Sequence, residues 1–204
     1  MLTFFHCPHT RSSSIHYLLE ELGVPYESEI IDIRAEGGAP ESYRAIQPHK
    51  KVPAIRHTTS HGEVVVTERA AITLYLADAF PQAGLAPALD DPRRGPYLTS
   101  VIYVDSVVDP CLVAHMNQWP YDGKGAAYGK FEDMVANLER TLGAHDYAVG
   151  DRFTAADTQW GVMMYWALDV MGLFKDKPIF RAYLNRLAER PAFQRFAKAM
   201  AVAA

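Results

Sequence analysis

The stretch "LTFFHCPHTRSSSIHYLLEELGVPYESEIIDI", residues 2–33, decides the fold. Its apolar run at 2–5 predicts a buried strand. From Arg11 to Leu22 the apolar residues Ile15, Leu18, Leu19 and Leu22 recur at spacings of three and four. That spacing predicts a helix, which Gly23 stops. Residues 26–33 alternate and predict a second strand. Two strands joined by a helix form a right-handed parallel unit. Between the first strand and the helix lies "HCPHTRSSS" (6–14), with a thiol, two imidazoles, an arginine and four hydroxyls. Such a turn suits a redox centre, a metal site, or a cradle that activates another molecule's thiol.

A Gly/Ala/Pro loop follows, then a short helix over 41–46. The segments "VPAIRH" (52–57) and "GEVVVT" (62–67) flank a polar turn and predict an antiparallel hairpin. Residues 69–79 predict another helix. The hairpin joins the parallel pair, so the expected first domain is α/β with a mixed four-stranded sheet over residues 1–80. "PQAGLAPALDDPRRGP" (81–96) has the proline content of a linker. Residues 97–204 are helical in period and predict an all-α second domain. Its segments are 97–119 with a kink at Pro110, 128–142, 155–171, 178–189 and 191–202. The fourth and fifth are divided at Pro191. Residues 155–171 are apolar nearly all round, which predicts a central, buried helix.

The chain has 204 residues, 49% of them hydrophobic and 22% charged, with a net charge of −4. No basic patch argues for nucleic acid or a membrane surface as partner. No apolar run approaches ~18 residues, so no membrane span is expected. Cys7 and Cys111 are the two cysteines. They make no disulfide framework, and with no signal peptide evident the expected location is the reducing cytoplasm.

Five motifs stand in order along the chain: "RSSSIHYLLEELGVPYE", "KKVPAI", "TERAAITLYLADAFP", "YAVGDRFTAADTQWG" and "YLNRLAERPAFQR". Together they resemble the cytosolic glutathione S-transferases, of the bacterial kind without a catalytic tyrosine, since residues 1–16 hold no tyrosine. The resemblance implies a thioredoxin-like domain that binds glutathione, a helical domain that binds a hydrophobic electrophile, and a homodimer. It implies glutathione as co-substrate and no metal. His6 and His9 could join Cys7 on zinc, but no fourth partner sits at metal spacing.

In "KKVPAI" the resemblance implies a cis Val52–Pro53 bond, with the backbone of Val52 pairing with glutathione's cysteinyl unit as an added strand. It implies Lys51 beside the glycyl carboxylate, with Lys50 the weaker candidate. In "TERAAITLYL", Glu68 would accept a charged hydrogen bond from the γ-glutamyl ammonium. The helix N-terminus there would seat the γ-glutamyl carboxylate. The family's usual Glu-Ser pair is here Glu68-Arg69. Arg69 could grip that carboxylate in place of the serine or point away, and Thr67 could cap the helix. In "FTAADTQWG", Thr154 and Asp157 form a capping box with a structural role.

The group that activates the thiol is open between two registers. One makes Cys7 the first cysteine of a glutaredoxin-like pattern, with Thr10 in the second place. The other puts the usual serine or cysteine position at His9 to Ser12. Thr10 and Ser12 are the preferred hydrogen-bond donors and Cys7 is the alternative; Cys7 equally fits a small buried residue at a strand end. Tyr103, His115 and Trp119 are candidates for the second-substrate pocket, with Met116, Tyr165 and Trp166 behind them. The leading expected activity is conjugation of glutathione to small hydrophobic electrophiles. The alternatives are a glutathione-dependent disulfide reductase or peroxidase, and a non-catalytic binding protein of the same fold.

Overall fold

The structure, a computed structural model, describes residues 1–202. Strand β1 (Leu2–His6) is buried throughout, as its apolar run requires. Helix α1 (Ser13–Leu22) follows and ends at Gly23 in the left-handed conformation, φ 64°, whose N–H bonds to the Leu19 carbonyl. Strand β2 (Glu27–Ile30) then runs parallel to β1, with His6 opposite Ile30. β2 is shorter than its alternating pattern and lies at the sheet edge with all four residues exposed. Strands β3 (Ala54–Thr59) and β4 (Gly62–Thr67) form the expected hairpin. β3 pairs antiparallel with β1, so the sheet order is β2-β1-β3-β4. Helix α2 (Arg69–Ala79) completes this α/β part.

The helical elements are α3 (Arg94–Tyr103), α4 (Asp109–Met116), α5 (Phe131–Ala144), α6 (Ala155–Tyr165), α7 (Pro178–Ala188) and α8 (Pro191–Val202). The chain makes a π-helical turn at Val104–Val108, between α3 and α4. There the Asp109 N–H reaches back five residues to the Val104 carbonyl. This wide turn lies just before Pro110, whose missing N–H falls in the first turn of α4. The combined stretch Arg94–Met116 is, by length and composition, apolar enough to cross a membrane. That corrects the expectation drawn from uninterrupted runs alone. Its Tyr97, Val101, Val104 and Val108 are buried in the bundle, which is the property of a core helix. Ala155 to Met164 of α6 are all buried, as its all-round apolarity predicts.

The described chain divides into two compact units, residues 1–83 with those from Glu189 on, and residues 84–188. The last helix, α8, is grouped with the first unit. α8 packs on α1: Tyr17 stacks on Phe196 at 5.5 Å and meets Phe193 edge-on at 5.2 Å. Arg190 reaches the Glu21 carboxylate at 2.6 and 2.8 Å, and Arg195 reaches Glu20 at 2.7 Å. Helix α3 also starts three residues earlier than expected, inside the proposed 81–96 linker.

Candidate functional site

Register places the candidate residues of the first unit at one end of the sheet. Phe5 of β1 stands opposite Ala54 of β3, and Ala54 stands opposite Thr67 of β4. Each chain path meets the same edge there. β1 leaves it into the 7–12 loop, β3 enters it from Lys51-Val52-Pro53, and β4 leaves it into Glu68 and α2. Cys7 and Val52 belong to one buried cluster with Phe5, Ile31, Tyr43 and Ala54.

The 7–12 loop is held by its own hydroxyls. The Thr10 Oγ1 donates to the Cys7 carbonyl at 2.7 Å and accepts the Ser12 N–H at 3.2 Å. The Ser12 Oγ donates to the same carbonyl at 2.9 Å and accepts the Cys7 N–H at 3.3 Å. It lies 2.8 Å from Thr10 Oγ1 and 2.7 Å from His6 Nδ1. Ser12 is 0% exposed, whereas Thr10 is half-buried. Ser12, expected with Thr10 as a hydrogen-bond donor to a thiol, is the more enclosed of the two hydroxyls. Its hydroxyl is enclosed by His6, Cys7 and Thr10, and Thr10 is the hydroxyl at the lip.

His6 is buried against Phe4, ring centroids 4.8 Å apart, and meets His16 edge-on at 5.4 Å. Burial, with His16 and His9 adding to it, pushes the His6 imidazolium down to about 3. His16 is lowered too, chiefly by burial, against the pull of Glu20. Both rings are neutral near pH 7. Among the described residues no three His, Cys, Asp or Glu side chains come together as a metal site.

Cys7 is buried. Its Sγ lies 3.4 Å from Nη1 of Arg34, which also donates to the Pro8 carbonyl at 3.1 Å; Nη2 donates to the His9 carbonyl at 2.6 Å. Sequence reasoning missed Arg34. The signal was in the topology: His6 and Ile30 pair in parallel, so the loops that follow each strand leave the sheet side by side. His9 turns through φ 56°, a left-handed conformation that aims its carbonyl at Arg34.

The Val52–Pro53 peptide is cis. β3 begins at Ala54 rather than Val52, so Val52 stands beyond the last registered pair, Ala54 with Thr67. Lys51 is exposed; its N–H donates to Gln47 Oε1 at 3.1 Å and its carbonyl accepts the Tyr43 hydroxyl at 3.1 Å. Lys50 pairs with Glu41 at 3.3 Å. Glu68, not Thr67, is the N-cap of α2, and it sits at φ 66° with an exposed side chain. Its carbonyl starts the helix by accepting the Ile72 N–H at 2.9 Å. Arg69 is the first residue of α2 and is only 7% exposed. Its side chain is folded into the protein rather than extended into solvent.

The second-substrate candidates separate. His115 and Trp119 line one cavity of about 600 Å³, together with Tyr121, Lys130 and Phe131. The His115 ring lies flat on Phe131, 3.8 Å between centroids and 8° between planes. Trp119 is 58% exposed. Tyr103 is not among the lining residues; it stacks on Trp160 at 6.3 Å, and burial raises its hydroxyl's pKa. Tyr165 is exposed, not core. Asp157 is fully buried in the capping box with Thr154, where burial raises its carboxyl against four hydrogen bonds that pull it down.

A mixed four-stranded sheet with a hydroxyl-rich loop, a proline-led strand and a helix N-terminus at one end is the architecture of a thioredoxin-like domain. The comparisons give the family. The family model described as "Glutathione S-transferase, N-terminal domain" matches residues 6–79. A solved structure, a sphingomonad glutathione S-transferase complexed with glutathione, is 30% identical, with a TM-score of 0.79 and 98% of each chain covered. Glutathione S-transferase GstA of Escherichia coli is 25% identical over 197 residues, 95% of this chain and 96% of that protein. A 2,5-dichlorohydroquinone reductive dechlorinase of Sphingobium indicum is 45% identical over 74 residues, but these are 32% of this chain and 21% of that enzyme. The chain belongs to the glutathione S-transferase family.

Proposed function

We propose that this chain is a glutathione transferase that conjugates glutathione to small hydrophobic electrophiles. The observation that supports it is that the strand register brings the loops bearing Thr10, Val52 and Glu68 to the same end of the sheet, with Glu68 at the N-terminus of α2. Glutathione would lie along that edge with its cysteinyl unit extended against Val52, next to Pro53, as an added strand. Glu68 accepts its α-ammonium, and the N–H groups that open α2 receive the γ-glutamyl carboxylate, with Arg69 adding charge there. Lys51, whose side chain is exposed, would pair with the glycyl carboxylate. Thr10 Oγ1 donates to the sulfur and favours the thiolate over the thiol. The thiolate then attacks an electrophilic carbon; an S–C bond forms and the leaving group departs with its electron pair.

The second substrate is assigned to Tyr103, His115 and Trp119. The support for the last two is an aromatic-lined cavity within the usual size range for small ligands. The proposal includes a homodimer in the cytoplasm, in keeping with the family. Turnover of a chromogenic haloarene, together with calorimetric binding of glutathione, tests it. A protein that binds no glutathione contradicts it.

A second reading, a glutathione-dependent reductase, is favoured by one contact, the Arg34 guanidinium 3.4 Å from Cys7 Sγ. The partial likeness to a reductive dechlorinase supports it. The burial of Cys7 among Phe5, Ile31 and Val52 works against it. Disulfide reduction abolished by Cys7→Ser would decide for this reading.

A further inference from the structure

Three polar groups stand in line from the lip of the site inward. His6 Nδ1 is 2.7 Å from Ser12 Oγ, and Ser12 Oγ is 2.8 Å from Thr10 Oγ1. Both hydroxyls also reach one acceptor, the Cys7 carbonyl, at 2.7 Å from Thr10 and 2.9 Å from Ser12. Each hydroxyl has a single proton, so the line has only a few consistent arrangements.

If His6 carries its proton on Nε2, Nδ1 is an acceptor. Ser12 must then donate to His6, and the Cys7 carbonyl keeps only the Thr10 proton. A Thr10 hydroxyl turned toward a ligand would leave that buried carbonyl short of a donor, which is unfavourable. If His6 carries its proton on Nδ1, it donates to Ser12. The Ser12 proton then serves the Cys7 carbonyl, and the Thr10 proton is free to turn outward without loss.

We infer that His6 is a positioning residue for the thiol-activating hydroxyl: its Nδ1–H fixes Ser12 on the Cys7 carbonyl and so releases the Thr10 proton to the substrate's sulfur. This rests on the proposed glutathione chemistry and names a residue that the five sequence motifs leave out. The site at Thr10 is one hydroxyl deep at the surface and three groups deep in control. The buried setting of His6 supports it, because burial holds the ring neutral and leaves its tautomer as the variable. Its stacking on Phe4 and contact with His16 fix the ring's orientation.

The test compares wild type with Ser12→Ala, which removes the second donor to the Cys7 carbonyl and leaves that carbonyl the Thr10 proton alone. Calorimetry first measures glutathione binding, and the thiolate's ultraviolet absorbance then reports the pKa of the bound thiol. We expect Ser12→Ala to raise that pKa by about one unit with glutathione affinity at low pH unchanged. Nitrogen NMR of wild-type His6 should show the Nδ1–H tautomer. An unchanged thiol pKa in Ser12→Ala, or an Nε2–H tautomer, overturns the inference while wild-type binding upholds the transferase reading. Wild type that binds no glutathione overturns both. Should Ser12→Ala fail to fold, the wild-type tautomer decides, and Nε2–H overturns the inference.

Discussion

Two buried polar side chains anchor the two units, and they differ in where their hydrogen bonds lead. Asp157 accepts from the Ala148 N–H at 2.8 Å, the Thr154 N–H at 2.8 Å, the Thr154 hydroxyl at 3.2 Å and the Tyr183 hydroxyl at 2.9 Å. Every one of those partners is buried. Ser12 also has partners on all sides, but its line of contacts ends at Thr10, which is half-buried at the loop's lip. A closed network of this kind pins a helix start to a loop and a neighbouring helix. An open one can pass a preference for proton position to a ligand. The two look alike in sequence, each a hydroxyl or acid at a helix N-terminus, and burial alone does not separate them.

The largest expected effect lies on the closed side. Asp157→Ala leaves two N–H groups and two hydroxyls without their acceptor, and the chain should lose at least about 3 kcal/mol of unfolding free energy in urea. A loss under about 1 kcal/mol would show that the network is not closed. On the open side the effect should fall on chemistry instead. Thr10→Val should raise the pKa of bound glutathione by about two units, roughly 2.7 kcal/mol, while the urea midpoint moves little. Glu68→Ala should weaken glutathione binding by about 30-fold, roughly 2 kcal/mol, read by calorimetry.

Acid should reach the open network first. His6 is lowered from 6.5 to about 3 in the folded chain. Below 6.5 the unfolded chain therefore takes up a proton that the folded chain refuses, and stability falls as pH falls toward 3. The slope for one such group is about 1.4 kcal/mol per pH unit, or about 2 kcal/mol between pH 6.5 and 5. His16, lowered in the same direction, steepens it. Urea titrations across that range should show the slope in wild type and a shallower one in His6→Phe. The smallest effect is that of Cys7→Ala, which should leave haloarene conjugation within about twofold because Cys7 is a buried member of the Phe5 cluster. A tenfold loss would move Cys7 into the chemistry and favour the reductase reading.

Much of the fold was legible because period and punctuation were both strong. Ile15, Leu18, Leu19 and Leu22 with Gly23 gave α1, and the two β-branched runs gave the hairpin. The partner of a helix was less legible. Nothing in "PAFQRFAKAM" says that Phe193 and Phe196 meet Tyr17 rather than the preceding helices. The cap of α2 was read one residue early because Thr67 is the better capping type, while the chain places Glu68 at positive φ there. At the site, the residue types were visible but not their directions. In "TRSSS" five polar residues follow one another, and only the folded loop separates Ser12, turned inward to His6, from Thr10 at the lip. Arg34 joins the loop through strand register, which a motif in one segment cannot report.

The most direct measurement is a crystal structure of this chain with glutathione bound. The glutathione sulfur should lie within about 3.5 Å of Thr10 Oγ1, with Ser12 still on the Cys7 carbonyl and Glu68 on the α-ammonium. A sulfur seated away from Thr10, or bonded to Cys7 Sγ as a mixed disulfide, would contradict the account.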